Sequence, residues 1–327
     1  MLYRRMCPLP ALLAGLILLI FVAGDVSLWS QNPSKNPAPA DQQLPARISD
    51  QTYRVHVDLV NVLCSVFDKR TNSFLTTLTQ DDFTIFEDGR KQEIRNFARE
   101  TSLPLTIALL IDTSQSVAPK LKFEQEAAIN FIQSIMREKD RAMLVEFSTG
   151  VTMLQDFTGD PNKMANEIRK LRAAGGTSLY DAIYMTCDEK LIRETGRKAI
   201  VILSDGEDES SRVTRREAIE VALRAEATIF AMSVSKGGFF GVGGSGEGDA
   251  ILKDITMETG GRIFFPFKTD ELEDAFRQIN QELRSQYNIG FLSTNSVRDG
   301  GYRKIEIKVP EGGLRLNYRK GYYAPSG

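Results

Sequence analysis

The segment LTIALLIDTSQSV, residues 105–117, ends an apolar run on Asp112 and then sets Ser114 and Ser116 at alternate positions. Two other segments carry oxygen donors in a similar setting. GGTSLYDA places Thr177 at the start of a helical pattern, and VILSDGEDES places Asp205 just beyond a second apolar run. Asp112, Ser114, Ser116, Thr177 and Asp205 together supply two carboxylates and three hydroxyls. All are hard oxygen donors, which select a hard divalent cation over a soft one. Mg²⁺ favours octahedral oxygen coordination at about 2.0–2.1 Å and retains some of its water; Mn²⁺ and Ca²⁺ accept related shells. Hydroxyls are weak donors, so an ion held this way stays electron-poor and attracts one more carboxylate. That is the chemistry of binding a protein ligand that presents Asp or Glu.

The same residue types have plainer roles. Ser, Thr and Asp at helix starts are ordinary caps. Asp181 either orients the Thr177 loop or favours a helix N-terminus. The acidic run Glu207, Asp208, Glu209 fits a solvated loop, with recruitment of a second cation as the alternative. Neither Asp181 nor this run is counted among the five candidate ligands.

Catalytic readings are poorly supplied. GVGGSG, Gly241–Gly246, satisfies the G-x-G-x-x-G pattern of dinucleotide-binding enzymes. The preceding strand, however, ends near Ser235, the motif falls late in the chain, and no acid closes the next strand, RIFFPF. A glycine-rich loop flanking the cation site is the expectation. There is no G-x-S-x-G elbow, and the one histidine, His56, lies among apolar neighbours in a β segment. Metal-assisted hydrolysis lacks a separate general base. Cys64 and Cys187 with one histidine are too few for a zinc–thiolate centre, and no disulfide is expected between them. With 41 basic and 43 acidic residues the charges nearly cancel, which excludes the basic stripe of a nucleic-acid binder. A non-enzymatic binding protein is the expected class. The alternatives are a metal- or dinucleotide-dependent enzyme using loop 241–246, and a scaffold whose cation only stabilises it.

The elements that must position these residues follow from periodicity. Residues 1–30 carry Arg4 and Arg5 before the apolar run Ala11–Gly24, the pattern of a secretory signal peptide or, if uncleaved, a membrane anchor. Residues 31–52, rich in Pro, Asn and Gln, form a tether. Residues 53–103 read as a β unit with a type I′ hairpin at Asp88-Gly89. From 104 to 286 apolar strands alternate with helices expected at 161–172, 179–194, 214–227, 249–258 and 270–286. Leu179, Ile183, Cys187 and Leu191 share one face of the second of these. Strands buried on both faces and linked by helices form a doubly wound, mostly parallel α/β sheet. Period-2 segments in 287–327 are expected to pair with the N-terminal β unit, making the α/β domain an insertion in a small β domain.

The spacing DTSQS, then a distant Thr in GGTSL, then a distant Asp in LSDG resembles the von Willebrand factor type A domains over about 104–286. The resemblance implies their metal-ion-dependent adhesion site. Asp112, Ser114 and Ser116 would be its first-loop ligands, Thr177 the second-loop ligand and Asp205 the third, often through water. FEDG, PLTIALLIDTSQSV and RKGYYA are more similar to secreted bacterial relatives of that family than to integrins. A secreted, periplasmic or cell-surface location is therefore expected, with membrane attachment only if the leader is retained.

Overall fold

The computed structural model describes residues 59–71, 73–99, 103–234, 246–266, 268–310 and 312–327. The leader, the tether, His56 and residues 241–245 of the glycine-rich loop lie outside the described residues.

The chain opens with β1 (Leu59–Asp68), β2 (Ser73–Phe74), β3 (Thr84–Glu87), β4 (Arg90–Gln92) and β5 (Ile94–Arg99). Asp88 and Gly89 both have positive φ, 46° and 79°, so β3 and β4 turn through the hairpin geometry that matches strand twist. The α/β segment follows: β6 (Leu105–Asp112), α1 (Leu121–Ile135), β7 (Arg141–Phe147), β8 (Val151–Thr158), α2 (Pro161–Ile168), α3 (Leu179–Met185) and β9 (Arg197–Ser204). It continues through α4 (Arg215–Arg224), β10 (Ala227–Ser233), α5 (Glu247–Thr259), β11 (Ile263–Phe264) and α6 (Thr269–Leu283). The chain closes with β12 (Tyr287–Leu292), β13 (Tyr302–Lys308), β14 (Leu314–Tyr318) and β15 (Gly321–Tyr323).

The central sheet runs β11-β10-β9-β6-β7-β8, parallel throughout except for β8, which is antiparallel to β7. Every residue of β6, β9 and β10 is buried, as strands covered on both faces must be. One face carries α1, α2 and α6, where Phe131 stacks on Phe276 with ring centroids 4.4 Å apart. The other carries α3, α4 and α5 around Leu110, Ile202 and Ile229. This is the doubly wound α/β architecture.

The terminal strands form the β domain into which this unit is inserted. β1 pairs with both β12 and β14, and β13 pairs with β3, so residues before and after the α/β segment share sheets. Val62, Ile85, Tyr287, Phe291 and Ile305 fill the space between them.

Several elements are shorter than their periodicity implies. The helix expected over 161–172 stops at Ile168, and that expected over 214–227 covers Arg215–Arg224. The helix expected over 179–194 is α-helical only to Met185; a π turn at Thr186–Lys190 and a 3₁₀ turn at Leu191–Arg193 finish it. Leu179, Ile183, Cys187 and Leu191 are nevertheless all buried, because the widened turn keeps them on one side. RIFFPF contributes only Ile263 and Phe264 to the sheet. Cys64 and Cys187 are free and buried in different cores.

Gly260 ends α5 in the left-handed conformation, φ 87°, and a Cβ there would lie 2.4 Å from the backbone nitrogen of Arg319. Gly260→Ala should therefore destabilise the protein by roughly 1–3 kcal/mol through backbone strain and steric overlap. Chemical denaturation checks this: a midpoint unchanged from the parent would contradict it.

Candidate functional site

Parallel pairing aligns β6 with β9 so that Ile111 lies beside Leu203. Asp112 therefore ends its strand next to Ser204, with Asp205 one residue beyond. Asp112 is wholly buried and Asp205 nearly so. The Ser204 hydroxyl donates to Asp112 Oδ2 at 2.6 Å, and the backbone N–H of Ser114 donates to Asp112 Oδ1 at 2.8 Å. The Ser116 hydroxyl donates to Asp205 Oδ2 at 2.6 Å, and the Ser114 and Ser116 hydroxyl oxygens are 2.9 Å apart. Four of the five sequence candidates thus form one connected cluster from two loops that are far apart in the chain.

Thr177 arrives by its backbone. The first loop is stitched to the 174–177 segment by Ala174 N–H to Thr113 O at 2.7 Å and Gln115 N–H to Gly175 O at 3.0 Å. The Thr177 carbonyl in turn accepts from Glu209 N–H at 3.0 Å and Ser210 N–H at 2.9 Å, which joins the second loop to the third. Thr177 is buried, and among the described residues its hydroxyl makes no hydrogen bond to the other four candidates.

Helix capping does not account for these hydroxyls. Ser114 precedes a short 3₁₀ turn, Gln115–Val117, without a side-chain cap bond, and α1 is preceded by Lys120. Ser178, not Thr177, stands before α3, and its hydroxyl donates to Thr149 O at 2.9 Å instead of capping the helix. Asp181 does not reach Thr177; it accepts from the backbone N–H groups of Arg212 at 2.9 Å and Val213 at 3.1 Å. In the acidic run, Asp208 is committed to structure, accepting from Tyr180 N–H at 3.0 Å and the Ser211 hydroxyl at 2.6 Å.

Close backbone contact fixes the third loop. Gly206, φ 81°, meets Gly248 at the start of α5: a Cβ on Gly248 would sit 2.2 Å from the Asp205 carbonyl oxygen. Only glycine permits that approach. Ser204 also accepts from Gly206 N–H at 3.0 Å, so one hydroxyl holds both the loop and Asp112.

The electrostatics are strained. Burial pushes the Asp112 carboxyl up from 3.8 to about 6, against hydrogen bonds from Ser204 and Ser114 that lower it; the Asp205 charge raises it further. A third acid, absent from the sequence candidates, belongs to this neighbourhood. Glu124, in the first turn of α1, is completely buried, and among the described residues neither of its carboxyl oxygens has a hydrogen-bond partner. Burial and then the field of Asp112 raise it from 4.5 to about 8, with Lys120 opposing and Asp205 adding to the rise. Three acids therefore share a region whose donors are mostly hydroxyls, an arrangement that a divalent cation would neutralise. Among the described residues no three His, Cys, Asp or Glu side chains gather closely enough to hold a metal on their own, so an ion bound here would have to draw on the serine and threonine hydroxyls as well.

Residues 107–207 match the family model described as von Willebrand factor type A domain. The matched segment begins in β6 and ends just past Asp205. A search of curated proteins finds no match. Among solved structures, an aerotolerance-related membrane protein from Bacteroides fragilis, carrying multiple mutations to serine, is 18% identical, with TM-score 0.46 and coverage of 55% of this chain and 98% of that one. BatB from Bacteroides thetaiotaomicron is 14% identical, with TM-score 0.45 and coverage of 55% and 100%. Proximal thread matrix protein 1 from the mussel byssus, solved with a zinc-occupied MIDAS motif, is 16% identical at TM-score 0.49; the match covers 61% of this chain and 50% of that one.

Glu124 makes stability depend on pH in a definite direction. The folded protein keeps a proton up to about pH 8 that the unfolded chain gives up near its ordinary value of 4.5. Folding stability in chelator should therefore fall as pH rises between those values and level off above them. Glu124→Gln should remove most of that decline and gain about 3 kcal/mol over the parent at pH 8 relative to pH 5. Urea denaturation at the two pH values measures it, and parallel behaviour of parent and variant would contradict it.

Proposed function

We propose that this chain, which carries a von Willebrand factor type A domain between the two halves of a β domain, is a non-enzymatic binding protein. Its partner is a protein, engaged through a divalent cation bridged to an Asp or Glu of that partner. Mg²⁺ is the first choice of ion, with Mn²⁺ and Ca²⁺ as chemically close substitutes. The observation that carries this reading is the hydrogen-bonded cluster in which Ser116 and Asp205 meet at 2.6 Å beside Asp112.

Asp112, Ser114 and Ser116 would hold the ion from the first loop, Thr177 from the second and Asp205 from the third. Bound there, the cation supplies Lewis-acid attraction for a foreign carboxylate. The chain's own residues do the rest. Ser204 fixes the Asp112 carboxylate in one orientation, and the Gly206–Gly248 contact fixes the Asp205 loop. The backbone bonds among Thr113, Gln115, Ala174 and Gly175 keep the first and second loops in register.

The remaining chemistry favours binding over turnover. The free thiols of Cys64 and Cys187 are fully buried and pushed up by burial, so neither is a nucleophile. Among the described residues no helix is long and apolar enough to cross a membrane. The Arg-flanked apolar leader supports a secreted, periplasmic or cell-surface location, with membrane attachment through an uncleaved leader as the alternative.

Titration calorimetry with Mg²⁺ or Mn²⁺ should find one ion per chain. Asp112→Ala and Asp205→Ala should each weaken it about tenfold or more while leaving the circular dichroism spectrum unchanged, because removing either acid also relieves like-charge repulsion. Capture of a partner from an extracellular fraction should then require the cation and fail in chelator. Ion affinity indifferent to both substitutions would contradict the proposal.

A further inference from the structure

The central sheet is in register from the candidate ion site to its edge. Asp112 lies beside Phe147, and Phe147 beside Val151. Neighbouring strands are about 4.8 Å apart, so Val151 stands about 10 Å from the end of β6. β8 closes the sheet on that side: it pairs with β7 and, among the described residues, with no other strand. An unpaired strand edge is a template for another extended chain. The loop leading into β8 also touches the second ion loop. The Thr149 hydroxyl accepts from Gly176 N–H at 2.8 Å, one residue before Thr177, and the Thr149 carbonyl accepts from the Ser178 hydroxyl.

From Thr149 a groove of about 530 Å³ leads past Val151 and Arg212 to Met185 on α3. Val151 and Met185 also wall an adjoining recess of about 50 Å³, with Met143, Met153 and Thr186 among its other walls. Met153 and Met185 are 43% and 39% exposed. A single exposed methionine means little, but two flanking one recess make an apolar contact that reshapes to its occupant. Thr186 gives the recess a polar point. It opens the π turn after α3, is 2% exposed, and among the described residues its hydroxyl has no hydrogen-bond partner. A threonine within a helix can return its hydroxyl to a carbonyl one turn back; this one does not, and is left for a group that enters the recess. The recess is far below the several hundred Å³ of a small-molecule site and suits one apolar side chain. The groove beside it has room for the chain that carries that side chain.

We propose that this groove is the second half of the partner's binding surface. An extended segment whose acid reaches the ion lies along β8 and puts an apolar side chain, of the size of Leu, Ile or Met, against Met153 and Met185. The assignment rests on the cation reading and adds a spacing to it. Met153 lies about 7 Å down β8 from Val151, which puts it about 12 Å from the end of β6; at about 3.3 Å per extended residue, the partner's acid and its apolar residue stand about three to five positions apart.

The test pans the full chain in Mg²⁺ against a displayed library of random peptides about twelve residues long, then titrates the enriched peptides. Peptides with Asp or Glu and an apolar residue about three to five positions away are expected. Met153→Gln combined with Met185→Gln should weaken them about tenfold or more, and Thr186→Val several-fold, each variant keeping the Mg²⁺ affinity and circular dichroism spectrum of the parent. Mg²⁺ calorimetry separates the two possible failures. No bound ion overturns the cation reading and the groove with it. A bound ion with no enriched peptide, with peptides that carry an acid alone, or with affinities indifferent to these substitutions overturns the groove and leaves the cation reading standing. A second copy of this chain on the β8 edge, seen as a dimer that the methionine pair dissociates, would likewise overturn it.

Discussion

Two adjacent parallel strands that both lead into an aspartate impose a charge problem on the rest of the molecule. Asp112 and Asp205 are drawn together by the β6–β9 pairing and removed from water, and no cationic side chain hydrogen-bonds to either among the described residues. Hydrophobic burial in the strands supplies the force that keeps them there, since every residue of β6 and β9 is buried and each apolar side chain contributes on the order of 1.5–3 kcal/mol. The hydroxyls of Ser116 and Ser204 relieve the strain only in part, as the raised carboxyl of Asp112 shows. A divalent cation is the group that would relieve it fully.

The surrounding structure keeps that tension from dissipating. Loops with no partner would let the two acids swing apart into solvent. Here the first loop is bonded to the second and the second to the third through backbone groups, and the third is clamped against α5 by two glycines. From the covering layer, α1 presents Glu124 to the same region, a third acid that burial and the field of Asp112 hold in its protonated form up to about pH 8. The β domain takes no part in this cluster. It closes the opposite end of the α/β unit, with Arg197 and Arg319 binding carbonyls on both sides of the junction.

Much of this was legible in the sequence, and the exceptions have identifiable causes. The continuous apolar runs of β6, β9 and β10 can only be strands buried on both faces, and such strands make a doubly wound sheet. The alternation in YRKIEIKV likewise fitted β13, whose burial alternates along its length. Helix ends were less visible. Leu179, Ile183, Cys187 and Leu191 keep helical spacing through a π turn, so periodicity alone extended the helix to 194. Asp181 and Asp208 have the composition of ligands or solvated acids, yet their oxygens are spent on backbone N–H groups that only the folded loops bring near. Glu124 was missed although a signal existed. It precedes Ala128 by four positions and so lies on the apolar stripe with Phe131 and Ile135, where an acid is out of place.

The central claim is that the five oxygen donors share one ion, and diffraction from crystals soaked in Mn²⁺ tests it most directly. The account predicts a single anomalous peak among Asp112, Ser114, Ser116, Thr177 and Asp205, with coordinating oxygens at about 2.0–2.3 Å and the Ser116–Asp205 hydrogen bond rearranged around it. No peak at that position, with the Ser116 hydroxyl still bonded to Asp205, would contradict it.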